Sequence, residues 1–170
     1  MAPAEPPRLW VLDTNVVLDL IHWNDPGVAP LAAALRSGAV VACTDESCLK
    51  ELELVLARPE FLGDAQQARE RAAAYRAAAR VIAADGRPAL PSLPRCKDPD
   101  DQKFLELARA CGAELLVTKD KALLALARRK HALAFRIATP EAALRTLMAD
   151  SVEYGLRPIA PYTASQREDS

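Results

Sequence analysis

Between Asp98 and Leu126 the chain reads DPDDQKFLELARACGAELLVTKDKALLAL, and its apolar positions change period twice. Phe104, Leu105, Leu107, Ala108 and Cys111 recur at helical spacing, with Lys103, Glu106 and Arg109 between them on the polar side. This predicts an amphipathic helix that opens after Pro99 and ends at Gly112. Glu114 to Val117 is a short apolar strand, and Thr118, Lys119 and Asp120 lead into a second helix whose stripe is Leu123, Leu124 and Leu126. In a parallel sheet each helix runs back against its strands, so the start of the first helix and the end of the strand share one edge. Asp101 and Asp120 are therefore expected at one crevice. Asp101 precedes Phe104 and Leu105 by three and four residues and shares their inward face, whereas Asp100 is rotated by ~100° from it.

The same alternation governs the rest. Leu9 to Leu12 is a continuous apolar run of strand length with Asp13 at its end, followed by Asn15 and a helical stripe through Val16, Val17, Leu20 and Ile21. On its own, Asp13-Thr14-Asn15 is equally a strand-to-helix turn with a polar cap. A second helix spans Val28 to Arg36, Ser37-Gly38 breaks it, and Ala39 to Cys43 is a second buried strand. Thr44 is read as the N-cap of the next helix, with Asp45 and Glu46 in its first turn, where carboxylates suit the helix dipole. That helix carries the stripe Leu49, Leu52, Val55 and Leu56. Glu51 and Glu53 flank the stripe on opposite sides, and periodicity does not choose between them.

Pro59 and Gly63 end this helix, and residues 64–84 form a long Ala- and Arg-rich helical arm. Its Arg69, Arg71, Arg76 and Arg80 are a solvated face, or a surface for RNA phosphates or a partner protein. A Pro-rich loop with a short edge strand around Leu90 follows. Ala134 to Ile137 is the last strand, and Thr139-Pro140-Glu141 opens a helix that runs to about Met148. The expected organisation is a mobile N-terminus over 1–7, one domain over 8–148, and an irregular tail over 149–170. The fold class is α/β: a doubly wound parallel sheet of about four to five strands, with Leu9 to Leu12 central between Ala39 to Cys43 and Glu114 to Val117.

Composition supports one domain: 170 residues, 51% hydrophobic, suffice for a sizeable core. The absence of a long apolar run or a secretory pattern at the start points to a soluble, cytoplasmic protein without membrane contact. Cys43, Cys48, Cys96 and Cys111 lack CxxC spacing, and only His22 and His131 are available beside them, so zinc is not expected and the thiols are expected reduced. A net charge of -1 gives no general attraction for nucleic acid, so any such binding needs a local patch of Arg and Lys.

Asp13, Asp101 and Asp120 map to the same sheet edge, and the helix carrying Glu51 begins there. Like charges so close raise one another's pKa unless a cation neutralises them. Mg²⁺ or Mn²⁺ is the natural choice: these hard ions take oxygen ligands and leave room for a phosphate, as in-line attack of water on a phosphodiester requires. There is no GxSxG, GxxxxGK[ST] or GxGxxG signature to support acyl, nucleotide-phosphate or dinucleotide chemistry. Asp98 and Asp100 suit the turn and dipole at the helix start without touching metal.

Four segments together resemble the PIN-domain family: Val11-Leu-Asp13-Thr-Asn15-Val-Val17, Glu51-Leu with Val55-Leu and Arg58-Pro59 downstream, Asp98-Pro-Asp-Asp101 with Lys103-Phe104-Leu, and Leu116-Val-Thr118 with Asp120-Lys. The likeness is to the branch of VapC-like toxins of toxin-antitoxin systems. It implies a three-layer α/β/α fold and a Mg²⁺- or Mn²⁺-dependent endoribonuclease. Its metal-binding and catalytic quartet would be Asp13, Glu51, Asp101 and Asp120, with Asn15 and Thr118 as supporting polar groups. The resemblance thereby selects Glu51 over Glu53. It also implies an RNA substrate, a cognate antitoxin protein and a homodimer. Housekeeping RNA processing, or a non-catalytic RNA- or protein-binding module, are the alternatives. Many relatives carry a further acid two residues beyond the position of Asp120, where this chain has Ala122, which weakens the case for a second metal.

Overall fold

The computed structural model describes residues 6–83, 93–128 and 133–153. Five parallel strands form one sheet in the order β3-β2-β1-β4-β5. They are β1 (Arg8–Leu12), β2 (Val40–Thr44), β3 (Arg80–Val81), β4 (Leu115–Val117) and β5 (Arg136–Ala138). The helices are α1 (Thr14–Leu18), α2 (Ala29–Ser37), α3 (Glu46–Leu56), α4 (Ala65–Ala78), α5 (Gln102–Ala110), α6 (Lys121–Ala127) and α7 (Pro140–Glu153). As expected, β1 is central between β2 and β4.

Parallel strands covered on both faces lose the polar/apolar alternation of a half-exposed sheet, which is why β1, β2 and β4 read as unbroken apolar runs. Their successive side chains enter two separate cores. Trp10, Leu12, Val40, Ala42, Leu115 and Val117 pack with residues of α1 to α4 and α7 on one face. Val11, Cys43 and Leu116 pack with Phe104, Leu105, Leu107, Leu123 and Leu126 of α5 and α6 on the other. The result is a three-layer α/β/α fold. No helix among the described residues is long and apolar enough to cross a membrane.

Several ends shift by one or two residues, among them β5, expected over Ala134 to Ile137 and found over Arg136–Ala138. Three boundaries differ in kind from those the sequence suggests. Thr44 is the last residue of β2, and the cap of α3 is Asp45, whose carboxylate accepts the Cys48 N–H at 2.9 Å. The arm expected over 64–84 is helical only to Ala78; Arg80 and Val81 then pair with Cys43 and Thr44, adding an edge strand where composition alone favours helix. α4 buries Ala68, Ala72 and Tyr75 against α3, and these small residues let the two helices form a close hairpin. Finally, α7 continues to Glu153, into the stretch read as tail. The strand expected around Leu90 lies outside the described residues, as do residues 1–5, His131 and residues 154–170.

At the amino edge of the sheet, Arg8 forms a two-pronged ion pair with Glu114, and Arg136 reaches the same carboxylate at 3.3 Å. This holds the Glu114 carboxyl below its usual range, chiefly through the Arg8 hydrogen bonds. Carboxylates at that edge are thus matched by cations. The opposite, carboxyl edge differs.

Candidate functional site

The chain leaves β1 in one direction toward β2 and returns on its other side as β4, so a crevice opens where β1 and β4 end, as at other switches of strand order. Asp13 is the first residue beyond β1. Its N–H donates to Val117 O at 2.9 Å, which continues the β1–β4 ladder and fixes its Cα at the crevice floor. The Asp13 side chain is buried.

Thr118, fully buried just after β4, joins the two strand ends. Its hydroxyl donates to Asp13 Oδ2 at 2.7 Å and accepts the Asp120 N–H at 2.9 Å. The Asp120 carboxylate in turn caps α6: Oδ1 accepts the N–H groups of Ala122 and Leu123 at 2.8 and 2.9 Å. Asp120 therefore has a structural duty of its own, with one oxygen committed to the cap. Ala122 contributes a backbone donor here. Asn15 is exposed; its backbone N–H helps to lower the Asp13 carboxyl, whose side chain makes no cap hydrogen bond to α1.

The turn that opens α5 sorts its three acids. Asp98 accepts the Asp100 N–H at 2.9 Å and caps a 3₁₀ turn over Pro99–Asp101. Asp100 is exposed, while Asp101 is half-buried. The Asp101 carboxyl is pushed up to about 6, first by burial, then by the charges of Asp13, Asp120, Asp98 and Glu51. Burial is also the main cause that raises the Asp13 carboxyl; the Thr118 hydrogen bond and the nearby Asn15 backbone N–H oppose it, and Glu51 and Asp120 add repulsion. Asp13, Glu51, Asp101 and Asp120 thus feel one another at the carboxyl edge, as the local placement of each suggests.

Glu51 and Glu53 part company. Glu53 turns to an open groove of about 440 Å³ between α3 and α4, also lined by Glu46, Lys50, Arg69 and Arg76. Glu51 faces the crevice, and both its oxygens are engaged: Thr14 Oγ1 donates to Oε1 at 2.7 Å, and the Lys103 ammonium forms an ion pair with Oε2. Neither Thr14 nor Lys103 was apparent from the sequence. Thr14 lies between the two polar residues that drew notice, and its burial at the first turn of α1 is the only local signal. Lys103 reads as part of the solvent face of α5, yet its side chain is only 19% exposed. Burial disfavours its charge, but the hydrogen bond and attraction from Glu51 outweigh that and raise its pKa.

Among the described residues, no group of three or more His, Cys, Asp or Glu stands gathered closely enough to hold a metal ion. The hydrogen bonds account for part of this, since Lys103 and Thr14 occupy Glu51 and the α6 cap occupies one oxygen of Asp120. The donor chemistry nonetheless fits a hard divalent cation: the acids are oxygen donors, and the burial and repulsion that raise Asp101 are what such an ion offsets.

The sequence model of the PIN domain matches residues 10–122, most of the chain and all four acids at this edge. No curated protein matches. The chain belongs to the PIN-domain family, whose members are generally nucleases that use divalent metals.

Proposed function

From this membership we propose that the protein is a Mg²⁺- or Mn²⁺-dependent endoribonuclease that hydrolyses RNA phosphodiester bonds. Asp13, Glu51, Asp101 and Asp120 hold the ion, and Asn15 and Thr118 support them. The observation that carries this reading is the placement of Asp13, Glu51, Asp101 and Asp120 at one edge of the sheet, where burial and then the charges of Asp13, Asp120, Asp98 and Glu51 push the Asp101 carboxyl up to about 6. A merely structural cap has no need of such company.

When bound, the ion supplies Lewis-acid assistance to phosphodiester hydrolysis. The chain's own residues position it. Thr118 fixes one oxygen of Asp13 and, through the Asp120 N–H, the β4–α6 turn, so two of the acids move as one unit. Thr14 orients Glu51 in the same way. Asp101 enters from the 3₁₀ turn that precedes α5. Exposed Arg69, Arg71 and Arg76 on α4 are the candidate phosphate contacts, although Arg76 is already paired with Glu46.

The four motif segments that resemble VapC-like toxins support a toxin role in the cytoplasm, with a cognate antitoxin protein as inhibitor and a homodimer as the working form. Growth arrest on expression, relieved by Asp13→Asn, tests that role against housekeeping RNA processing. Sedimentation at micromolar concentration tests the dimer. The decisive experiment for the activity is cleavage of total RNA with and without Mn²⁺ by the wild-type chain and Asp13→Asn. Metal-dependent cleavage lost in the variant is expected; folded wild-type protein that neither binds Mn²⁺ nor cleaves is a non-catalytic binding module.

A further inference from the structure

Among the described residues, Lys103, two positions after Asp101 in the same segment, pairs with an acid of the four-acid centre. Its ammonium is paired with Glu51 Oε2 and lies 5.3 Å from the centre of the Phe104 ring, a second attraction that holds it over the helix start. The other oxygen of Glu51 is fixed by Thr14. Each Glu51 oxygen thus carries one partner, and of the two only Lys103 brings a positive charge that opposes a bound cation.

We propose that Lys103 is the resident counter-ion of this crevice, and that a divalent cation engages Glu51 only by displacing it. The proposal rests on the metal-site reading above and concerns how that site is filled. Four carboxylates without any cation repel one another, so the metal-free protein gains from an internal positive charge, which the Lys103–Glu51 pair supplies. Lysine suits a displaceable role. Its ammonium is a compact point charge on a flexible stem, whereas arginine would grip the carboxylate with two parallel hydrogen bonds. Each ion that binds must break the Lys103–Glu51 pair and tolerate a nearby positive charge, so Lys103 sets the divalent concentration at which the centre loads. The same pair stabilises the metal-free fold and therefore acts oppositely on the two states.

The test uses the full chain, with Mn²⁺ alone as the probe, in calorimetric titrations of wild type, Lys103→Met and Lys103→Arg, and melting curves of each without metal. Lys103→Met is expected to bind Mn²⁺ at least about tenfold more tightly than wild type, because an unpaired Glu51 oxygen is added and a like charge removed. It should also melt lower than wild type without metal, with the gap closing at saturating Mn²⁺. Lys103→Arg keeps the charge and should bind no more tightly than wild type. Should Lys103→Met not fold, Lys103→Gln, which retains a donor toward Glu51, replaces it with the same expectation. Wild type that binds Mn²⁺ together with a neutral variant that binds equally or more weakly overturns this inference and leaves the metal-site reading standing. Absence of Mn²⁺ binding in wild type and in the neutral variants overturns both.

Discussion

Asp101→Asn separates the electrostatic role of this side chain from its role as a ligand, because asparagine keeps the shape and removes the charge. The Asp101 carboxyl titrates at about 6 in the fold against 3.8 for an unperturbed group. The folded state therefore binds the proton more tightly than the unfolded state. Stability contributed by this group falls as pH rises from ~3.8 to ~6 and stays at its lowest above that window. A shift of this size is worth about 3 kcal/mol without screening. Because the side chain is half exposed to water, about 1 kcal/mol is the realistic cost of its charge. Asparagine mimics the protonated form and should recover that cost at pH 7.5 but not at pH 4. Without metal, melting curves should place Asp101→Asn about 2–4 °C above wild type at pH 7.5 and level with it at pH 4. With Mn²⁺ the order should invert. Wild type gains about 2.7 kcal/mol at a hundredfold excess over the dissociation constant, while the variant, short of one ligand, gains little and does not cleave RNA. Asp100→Asn should change none of these readings, since that residue faces solvent. A variant at position 101 that melts below wild type at pH 7.5, or a difference that ignores pH, would refute the repulsion on which the site rests.

Two further substitutions test the frame that holds the acids. Thr118→Val preserves volume but strips a hydroxyl that donates to Asp13 and accepts from Asp120, leaving buried polar groups unpaired; it should cost about 1–3 kcal/mol in urea unfolding, and a wild-type midpoint would show that the bridge is unimportant. Leu116→Ala opens a cavity beneath α5 and α6 at a fully buried position of β4. It should cost about 2–5 kcal/mol by the same assay with an unchanged urea slope, and a loss under 1 kcal/mol would mean that this core collapses around the gap.

Residues whose environment is set by their own segment were legible in the sequence, and residues whose environment is set by a distant one were not. Leu9 to Leu12 announced a central strand because both its faces are buried, and Asp13 and Asp120 were placed by the strand ends they follow. Asp101 was separated from Asp100 by helix register alone. Thr44 and Arg80-Val81 went astray for one shared reason. The Ile82 N–H donates to Thr44 O, and the short β3 pairs with the end of β2, so a tertiary ladder lengthens one strand and cuts a helical pattern short.

The site divides along the same line. Asp13, Asp101 and Asp120 occupy positions that local signals define, and Glu51 is told from Glu53 only by the family resemblance, whereas the groups that hold Glu51 come from 37 residues before it and 52 after it. Thr14 and Lys103 meet Glu51 only because α1, α3 and α5 converge on the crevice. No periodicity within one segment encodes that meeting. It follows that the negative charge of this centre is written locally along the chain while its neutralisation is a product of packing. A substitution that shifts α3 relative to α5, even far from the acids, should therefore alter ion binding before it alters the positions of Asp13 or Asp120, which the β1–β4 ladder and the Thr118 bridge hold independently.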